Sequence, residues 1–167
     1  MPSTPSTALD GDALGRAAVP FSLGEPEAFD TSVDALMASL GAEVTVLGFG
    51  EALHGGEEIL RLRNRLFERL VERHGFTAMA IESSWPRGRR VDDFVTGCGP
   101  ALYEAIKDAG FSHGLGRIEA NRDLVEWMRR RSAAAGSAGR LHFHGFDMPG
   151  GAAGPIGPRE VLAVALG

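Results

Sequence analysis

Three acidic residues follow the three segments of this sequence that are typical of short buried strands. Glu51 follows the first segment, Glu82 the second and Asp147 the third. In open α/β sheets, ligands bind beyond the carboxyl ends of the strands, and neighbouring strands place such residues about 5–10 Å apart. Solvation or helix capping explains one strand-end acid equally well, but three of them together with a histidine in the first loop favour a functional site.

A histidine lies three residues after the first of these acids. His54 belongs to the turn GEALHGG, directly before a predicted helix. Histidine exchanges protons near neutral pH as a general base or acid, and the free N–H groups at a helix start stabilise a developing oxyanion. A nearby carboxylate would fix the tautomer of the ring. We therefore predict that Glu51 and His54 act together.

Arg63 is unusual for its position on the helix that follows. At about 100° per residue, it falls near the middle of an arc that is otherwise apolar. A buried guanidinium without a partner is very unfavourable. We expect Arg63 to meet a carboxylate, with Glu51 and Glu82 as the candidates, although a structural salt bridge or a stem reaching the surface explains the pattern equally well.

Other polar residues are weaker candidates for the same crevice. His113, Asn121 and Asp147 are predicted to bind substrate, although a loop and a helix cap explain the first two equally well. His142 and His144 alternate along the third predicted strand and so share one face. Two such histidines can bind a metal, but a half-buried strand face explains them more simply.

The elements that must position these residues alternate along the chain. Apolar spacing and glycine or proline stops predict helices over 26–40, 57–74, 88–95, 101–109 and 119–131, and strands over 43–49, 77–81 and 141–146. A strand, a long helix and a second strand form a βαβ unit. The predicted fold class is α/β, with a mixed or mostly parallel sheet flanked by helices, built on βαβ units and incomplete.

Composition and charge restrict the class of protein. The 167 residues are 44% hydrophobic and 23% charged, as in soluble globular domains. The net charge of −5 argues against a nucleic-acid binder. Neither a signal peptide nor an apolar run of about 20 residues occurs, and the single cysteine, Cys98, cannot build a disulfide framework. These features predict a cytoplasmic protein without a membrane partner.

The chain divides into three predicted parts. Residues 1–15 are rich in Ser, Thr, Pro and Asp and are expected to form a disordered leader. Residues 16–149 carry the α/β domain. Residues 150–167 start a continuation, in which residues 159–166 are predicted to be helical and apolar. Because a helix of about two turns buries little by itself, we expect the sequence to be truncated there.

The order of these motifs resembles the erythromycin esterase family. The likeness runs from about residue 36 to 149, through VLGFGEALHGGEEILRLRNRLFERLVERHGFTAMAIESSWPRGRRVDDFV and the later pieces FSHG, NRDLVEWMR and FHGFDM. That family has a Gly-Glu-x-x-His-Gly turn after a strand, a helix with a functional arginine, and a strand that ends in a functional glutamate. Glu51, His54, Arg63 and Glu82 occupy those four positions.

The resemblance implies hydrolysis of a carboxylic ester, notably the macrolactone of erythromycin-type antibiotics, by a water activated through general acid–base catalysis. It implies that Glu51, His54, Arg63 and Glu82 are catalytic and organise the water and the developing charge. Members of the family are longer than this chain. A further histidine, proposed as their general base, belongs to the part that is missing here.

Two alternatives stay open beside this hypothesis. One is a metal-dependent hydrolase in which Glu51, His54 and Glu82 bind a divalent ion and a metal-bound water attacks, although hard-ligand sites usually need more donors. The other is a truncated, non-catalytic fragment that self-associates through the apolar surface left by truncation. The first hypothesis requires no cofactor, and its partner is a small-molecule ester.

Overall fold

A computed structural model describes residues 21–51, 53 and 55–147 of the chain. The chain forms two compact units, Met1–Leu47 and Gly48–Gly167. The predicted leader over 1–15 and the predicted continuation over 150–167 lie outside the described residues.

The first unit carries helix α1, Pro26–Leu40, with the predicted bounds. Its apolar stripe is buried at Phe29, Val33 and Met37, which recur every four residues along one face. Gly41 ends the helix with a φ of 90°, a backbone conformation that glycine adopts without strain.

The strand predicted over 43–49 is wrong. Within the described part of the chain, residues 44–50 have no strand pairing. Val46 is 85% exposed and Phe49 is 40% exposed. A β-branched, apolar segment favours a strand only where neighbours pack against it, so tertiary context overrides its local preference. The βαβ unit predicted between this segment and the next strand is therefore also wrong.

The second unit is built on two parallel strands, β1 (Ala78–Ser84) and β2 (His142–Asp147). Both run farther towards the carboxyl end than predicted, and Ser84 lies opposite Asp147. Parallel strands need a long crossover connection, and helices occupy the sequence between these two. The α/β fold class is confirmed, but its parallel pair joins the second and third predicted strands.

Helix α2, Glu57–His74, precedes β1 and has the predicted bounds. It ends at Gly75, which is left-handed with a φ of 74°. Acidic residues in the first turn and basic residues in the last complement the helix dipole. Its buried face includes Leu60, Phe67 and Leu70 as well as polar residues described below.

The crossover contains helices α3 (Trp85–Thr96) and α4 (Glu119–Ala135), both longer than predicted. Alanines at the end of α4 favour the helical state, so the helix continues beyond its predicted end at residue 131. The helix predicted over 101–109 is reduced to the short 3₁₀ turn Tyr103–Ala105.

The core of the second unit lies between one face of the sheet and these helices. Its buried members are Phe67, Ile81, Val91, Phe94, Val95, Tyr103, Ile106, Phe111, Leu115, Leu124, Val125, Met128, Leu141 and Phe143. Alternate residues of both strands, including Glu82 and Phe146, face the other way and are exposed. No helix among the described residues has the length and apolar character needed to cross a membrane.

Candidate functional site

A cavity of about 350 Å³ lies in the second unit. Side chains from the loop before α2, from α2, from β1, from the loop before α4 and from α4 converge on it. Its lining residues are Glu51, Gly55, Arg63, Ile81, Glu82, His113, Leu115, Ile118 and Asn121. Five of the seven residues that were predicted to be catalytic or to bind substrate therefore share one cavity.

Arg63 projects from the buried face of α2 and is 8% exposed. Its Nε and Nη2 donate hydrogen bonds to Asn64 Oδ1 at 3.2 and 2.8 Å. Nη2 also donates to Asn121 Oδ1 at 2.7 Å. We expected a carboxylate in this place. Within the part of the chain that the structure describes, two amide oxygens accept these hydrogen bonds instead.

The two amides are themselves fixed by hydrogen bonds to the backbone. Asn64 Nδ2 donates to the Ala120 carbonyl at 2.6 Å, and Asn121 Nδ2 donates to the Leu115 carbonyl at 2.9 Å. Each oxygen is therefore held towards the guanidinium. Because both acceptors are neutral, the hydrogen bonds orient Arg63 without cancelling its positive charge.

The charge of Arg63 survives its burial at neutral pH. Burial lowers the pKa of the guanidinium to about 10, and the negative charge of Glu51 opposes that shift. A pKa of about 10 leaves the group protonated at pH 7. The cavity therefore combines one fixed cation with the carboxylates of Glu51 and Glu82, which also line it.

His113 and Asp147 form a pair at this site. His113 Nε2 lies 3.1 Å from Asp147 Oδ2, with the side chains 34% and 29% exposed. His113 comes from the loop before α4 and lines the cavity, whereas Asp147 comes from the carboxyl end of β2. Asp147 therefore contacts a residue of the cavity lining, His113, without being part of that lining itself.

The other histidines that the sequence singled out do not line this cavity where they are described. His54 falls outside the described residues. His142 and His144 share one strand face, as predicted, with rings 6.3 Å apart and nearly parallel. Among the residues described, no group of three His, Cys, Asp or Glu side chains is placed to hold a metal ion. The proposed metal triad includes His54 and so stays a prediction.

A match to known proteins places the chain in a family. The erythromycin esterase family model matches residues 71–163, more than half of the 167-residue chain. The chain belongs to the erythromycin esterase family. The matched region of this family member includes Glu82, His113, Asn121 and Asp147, whereas Glu51 and Arg63 precede it.

A solved structure has a similar fold. It is the crystal structure of a protein from Bacillus cereus, with a TM-score of 0.60 and 23% sequence identity. The likeness covers 80% of this esterase-family chain and 31% of the Bacillus protein. The chain thus spans about a third of the length of that protein, and the comparison supports the α/β fold.

Sequence reasoning missed Asn64, which accepts two hydrogen bonds from Arg63. The signal was present, because Asn64 lies on the same helical face as Leu60 and Phe67. An amide in the middle of an apolar face needs a hydrogen-bond partner, and the neighbouring arginine provides one. Arg87 also has a structural role, since its Nη1 donates to the Phe111 carbonyl at 2.8 Å.

Proposed function

We propose that this protein is a hydrolase of the erythromycin esterase type that cleaves a carboxylic ester, a macrolide lactone being one candidate. The observation that carries the proposal is the shared cavity of Arg63, Glu51 and Glu82 in a member of a hydrolase family. A buried cation that shares a cavity with two carboxylates has the complementary charges that water activation and oxyanion stabilisation require.

In this proposal, Arg63 stabilises the oxyanion of the tetrahedral intermediate. A preoriented donor contributes most when it does not have to reorganise during the reaction. The two asparagines hold the guanidinium by hydrogen bonds of 2.7–3.2 Å, so it needs little rearrangement. Asn121, predicted to bind substrate, then has a positioning role as well.

Glu51, Glu82 and His54 would activate the attacking water. One of these groups accepts a proton from the water as its oxygen bonds to the carbonyl carbon. The intermediate then collapses, and the bond between that carbon and the alkoxy oxygen breaks. Protonation of the alkoxide completes the reaction, in which one ester and one water give one carboxylic acid and one alcohol.

The remaining assignments follow from the same proposal. The domain would span residues 16–149, its partner would be a small-molecule ester, and the protein would be cytoplasmic. His113 and Asp147 would lie beside the bound substrate, since His113 lines the cavity.

Substitution of His54 and Glu82 tests the proposal. We expect His54→Ala and Glu82→Gln each to abolish turnover of p-nitrophenyl acetate while the circular dichroism spectrum stays that of the wild type. Glu58→Gln is the matched control, because Glu58 is an exposed glutamate on α2. Wild-type turnover in both site variants would refute the assignment.

A further inference from the structure

His113 has a strained backbone conformation. Its φ of 55° is the one positive φ found among the non-glycine residues that the structure describes. Glycine adopts such a conformation without strain, yet this position holds a histidine with a glycine directly after it. Strained residues of this kind cluster at functional sites, where the surrounding structure holds them in place.

The surrounding structure holds this loop firmly. Ser112 joins it to the end of β1, accepting a hydrogen bond from the Ser84 N–H at 2.8 Å and donating its own N–H to Ser83 Oγ at 3.0 Å. All three serines are buried. The Tyr103 hydroxyl donates to the Gly116 carbonyl at 2.7 Å on the other side of His113. The histidine is thus presented from a loop that is fixed on both sides.

The ring of His113 is oriented by one carboxylate and exposed to the cavity. Its Nε2 pairs with Asp147 Oδ2 at 3.1 Å, and this leaves Nδ1 as the ring nitrogen that can exchange a proton with a ligand. The other charged groups that line the cavity are Glu51, Arg63 and Glu82. An oriented imidazole that shares a cavity with an oxyanion-stabilising cation fits the role of a general acid.

We propose that His113 protonates the departing alkoxide and that Asp147 positions its ring, an inference that rests on the proposed function. As the bond between the carbonyl carbon and the alkoxy oxygen breaks, the proton on Nδ1 moves to that oxygen and the alcohol leaves. The proton that the attacking water gave to a cavity carboxylate returns to the ring through solvent. His113 is then a catalytic residue and Asp147 a positioning residue.

A second histidine–aspartate pair offers a matched control. His142 Nδ1 lies 3.2 Å from Asp92 Oδ1, with the side chains 46% and 26% exposed. This pair joins β2 to α3 and is absent from the lining of the cavity. If the His113–Asp147 contact is purely structural, its substitution should affect ester hydrolysis no more than substitution of this pair does. If His113 is a general acid, its substitution should lower hydrolysis of the ester that needs a proton.

The test compares two acetate esters whose leaving groups differ in their need for a proton. p-Nitrophenolate leaves readily without one, whereas the ethoxide of ethyl acetate must be protonated. We expect His113→Gln to lower kcat/KM for ethyl acetate about 100-fold more than it lowers kcat/KM for p-nitrophenyl acetate. Asp147→Asn should show the same selectivity to a smaller degree, and His142→Gln should affect neither ester.

A glycine variant separates the chemical role from folding. His113→Gly removes the imidazole and suits the positive φ, so we expect its melting temperature to match or exceed that of the wild type while its ethyl acetate activity is lost. If His113→Gln loses activity equally on both esters, or on neither, the role of His113 is overturned and the esterase function stands. The same conclusion follows if the wild type hydrolyses p-nitrophenyl acetate but not ethyl acetate. A wild type inactive on both esters would overturn the role of His113, and one inactive on erythromycin as well would also overturn the esterase function.

Discussion

The hydrogen bonds of Arg63 illustrate how a buried charge can be held and still remain available. A carboxylate partner would accept the hydrogen bonds of the guanidinium but would also neutralise its charge. A buried ion pair of this kind exerts little electrostatic attraction on a substrate. Amide acceptors from Asn64 and Asn121 provide orientation alone. The hydrogen bonds therefore leave the charge of Arg63 to act on the cavity, which it shares with the carboxylates of Glu51 and Glu82.

Asn121 should be important for stability as well as for function. Asn121→Ala removes the hydrogen bonds to Arg63 Nη2 and to the Leu115 carbonyl, although Asn64 Oδ1 and the Ile118 N–H remain as partners of these two groups. We expect the free energy of unfolding to fall by about 2–4 kcal/mol, since loss of a neutral hydrogen bond costs about 0.5–1.5 kcal/mol and loss of one to a charged group about 1.5–3 kcal/mol. Urea denaturation measures the change. Arg131→Ala, at an exposed position of α4, is the control, and equal stability of the two variants would contradict the role of Asn121.

The planar fork of Arg63 should matter more than its charge alone. Lysine keeps the charge but cannot donate through two nitrogens to two amides. We expect Arg63→Lys to lower kcat for ester hydrolysis by about 100-fold, as loss of an oxyanion donor does. Arg73→Lys, at an exposed position of the same helix, should leave kcat unchanged. An active Arg63→Lys enzyme would show that charge without geometry suffices.

At the scale of elements, α3 packs directly on β2 through two glycines. A β-carbon on Gly88 would lie 2.5 Å from the Gly145 nitrogen, and Gly145 itself is crowded by the backbone of β1. Any side chain at position 88 would therefore push the helix away from the sheet. This contact fixes the start of the crossover relative to the strand that carries Asp147.

Gly88→Ala tests this contact. We expect the free energy of unfolding to fall by about 1–3 kcal/mol, because overpacking forces the backbone to shift. Thermal or urea denaturation measures the loss. Gly48→Ala is the control, since a β-carbon at position 48 would meet no atom within 4 Å. Equal stability of the two variants would mean that the helix moves without cost.

The sequence predicted those features whose causes are local. The bounds of α1 and α2 follow from apolar spacing and their glycine stops, and the burial of Arg63 follows from its place on the helical arc. Its bond to Asn121 joins residues 58 positions apart, which spacing along one helix cannot reveal. The segment 43–49 failed for the same reason, because a strand depends on neighbours that are distant in sequence.

At the scale of the whole molecule, one face of the two-stranded sheet is exposed. Phe146 is 65% exposed on that face, although parallel sheets are usually covered on both sides. Exposed apolar surface of this kind favours association. We therefore propose that the exposed ring of Phe146 promotes self-association of the chain.

Replacement of Phe146 tests the association. We expect wild-type protein to show mass above that of a monomer by light scattering as concentration rises, and Phe146→Ser to reduce it. Leu102→Ser is the matched control, because Leu102 is 72% exposed but lies outside the sheet. A monomeric wild type at every concentration would contradict the proposal.

Ester hydrolysis at the cavity is the central claim, and mass spectrometry tests it most directly. The purified chain is incubated with erythromycin and simple carboxylic esters, beside a folded Glu82→Gln variant, and products are identified by the gain of one water. We predict product from the wild type on at least one ester and none from the variant. Failure of the folded wild type on every ester, or equal product from the variant, would contradict the account.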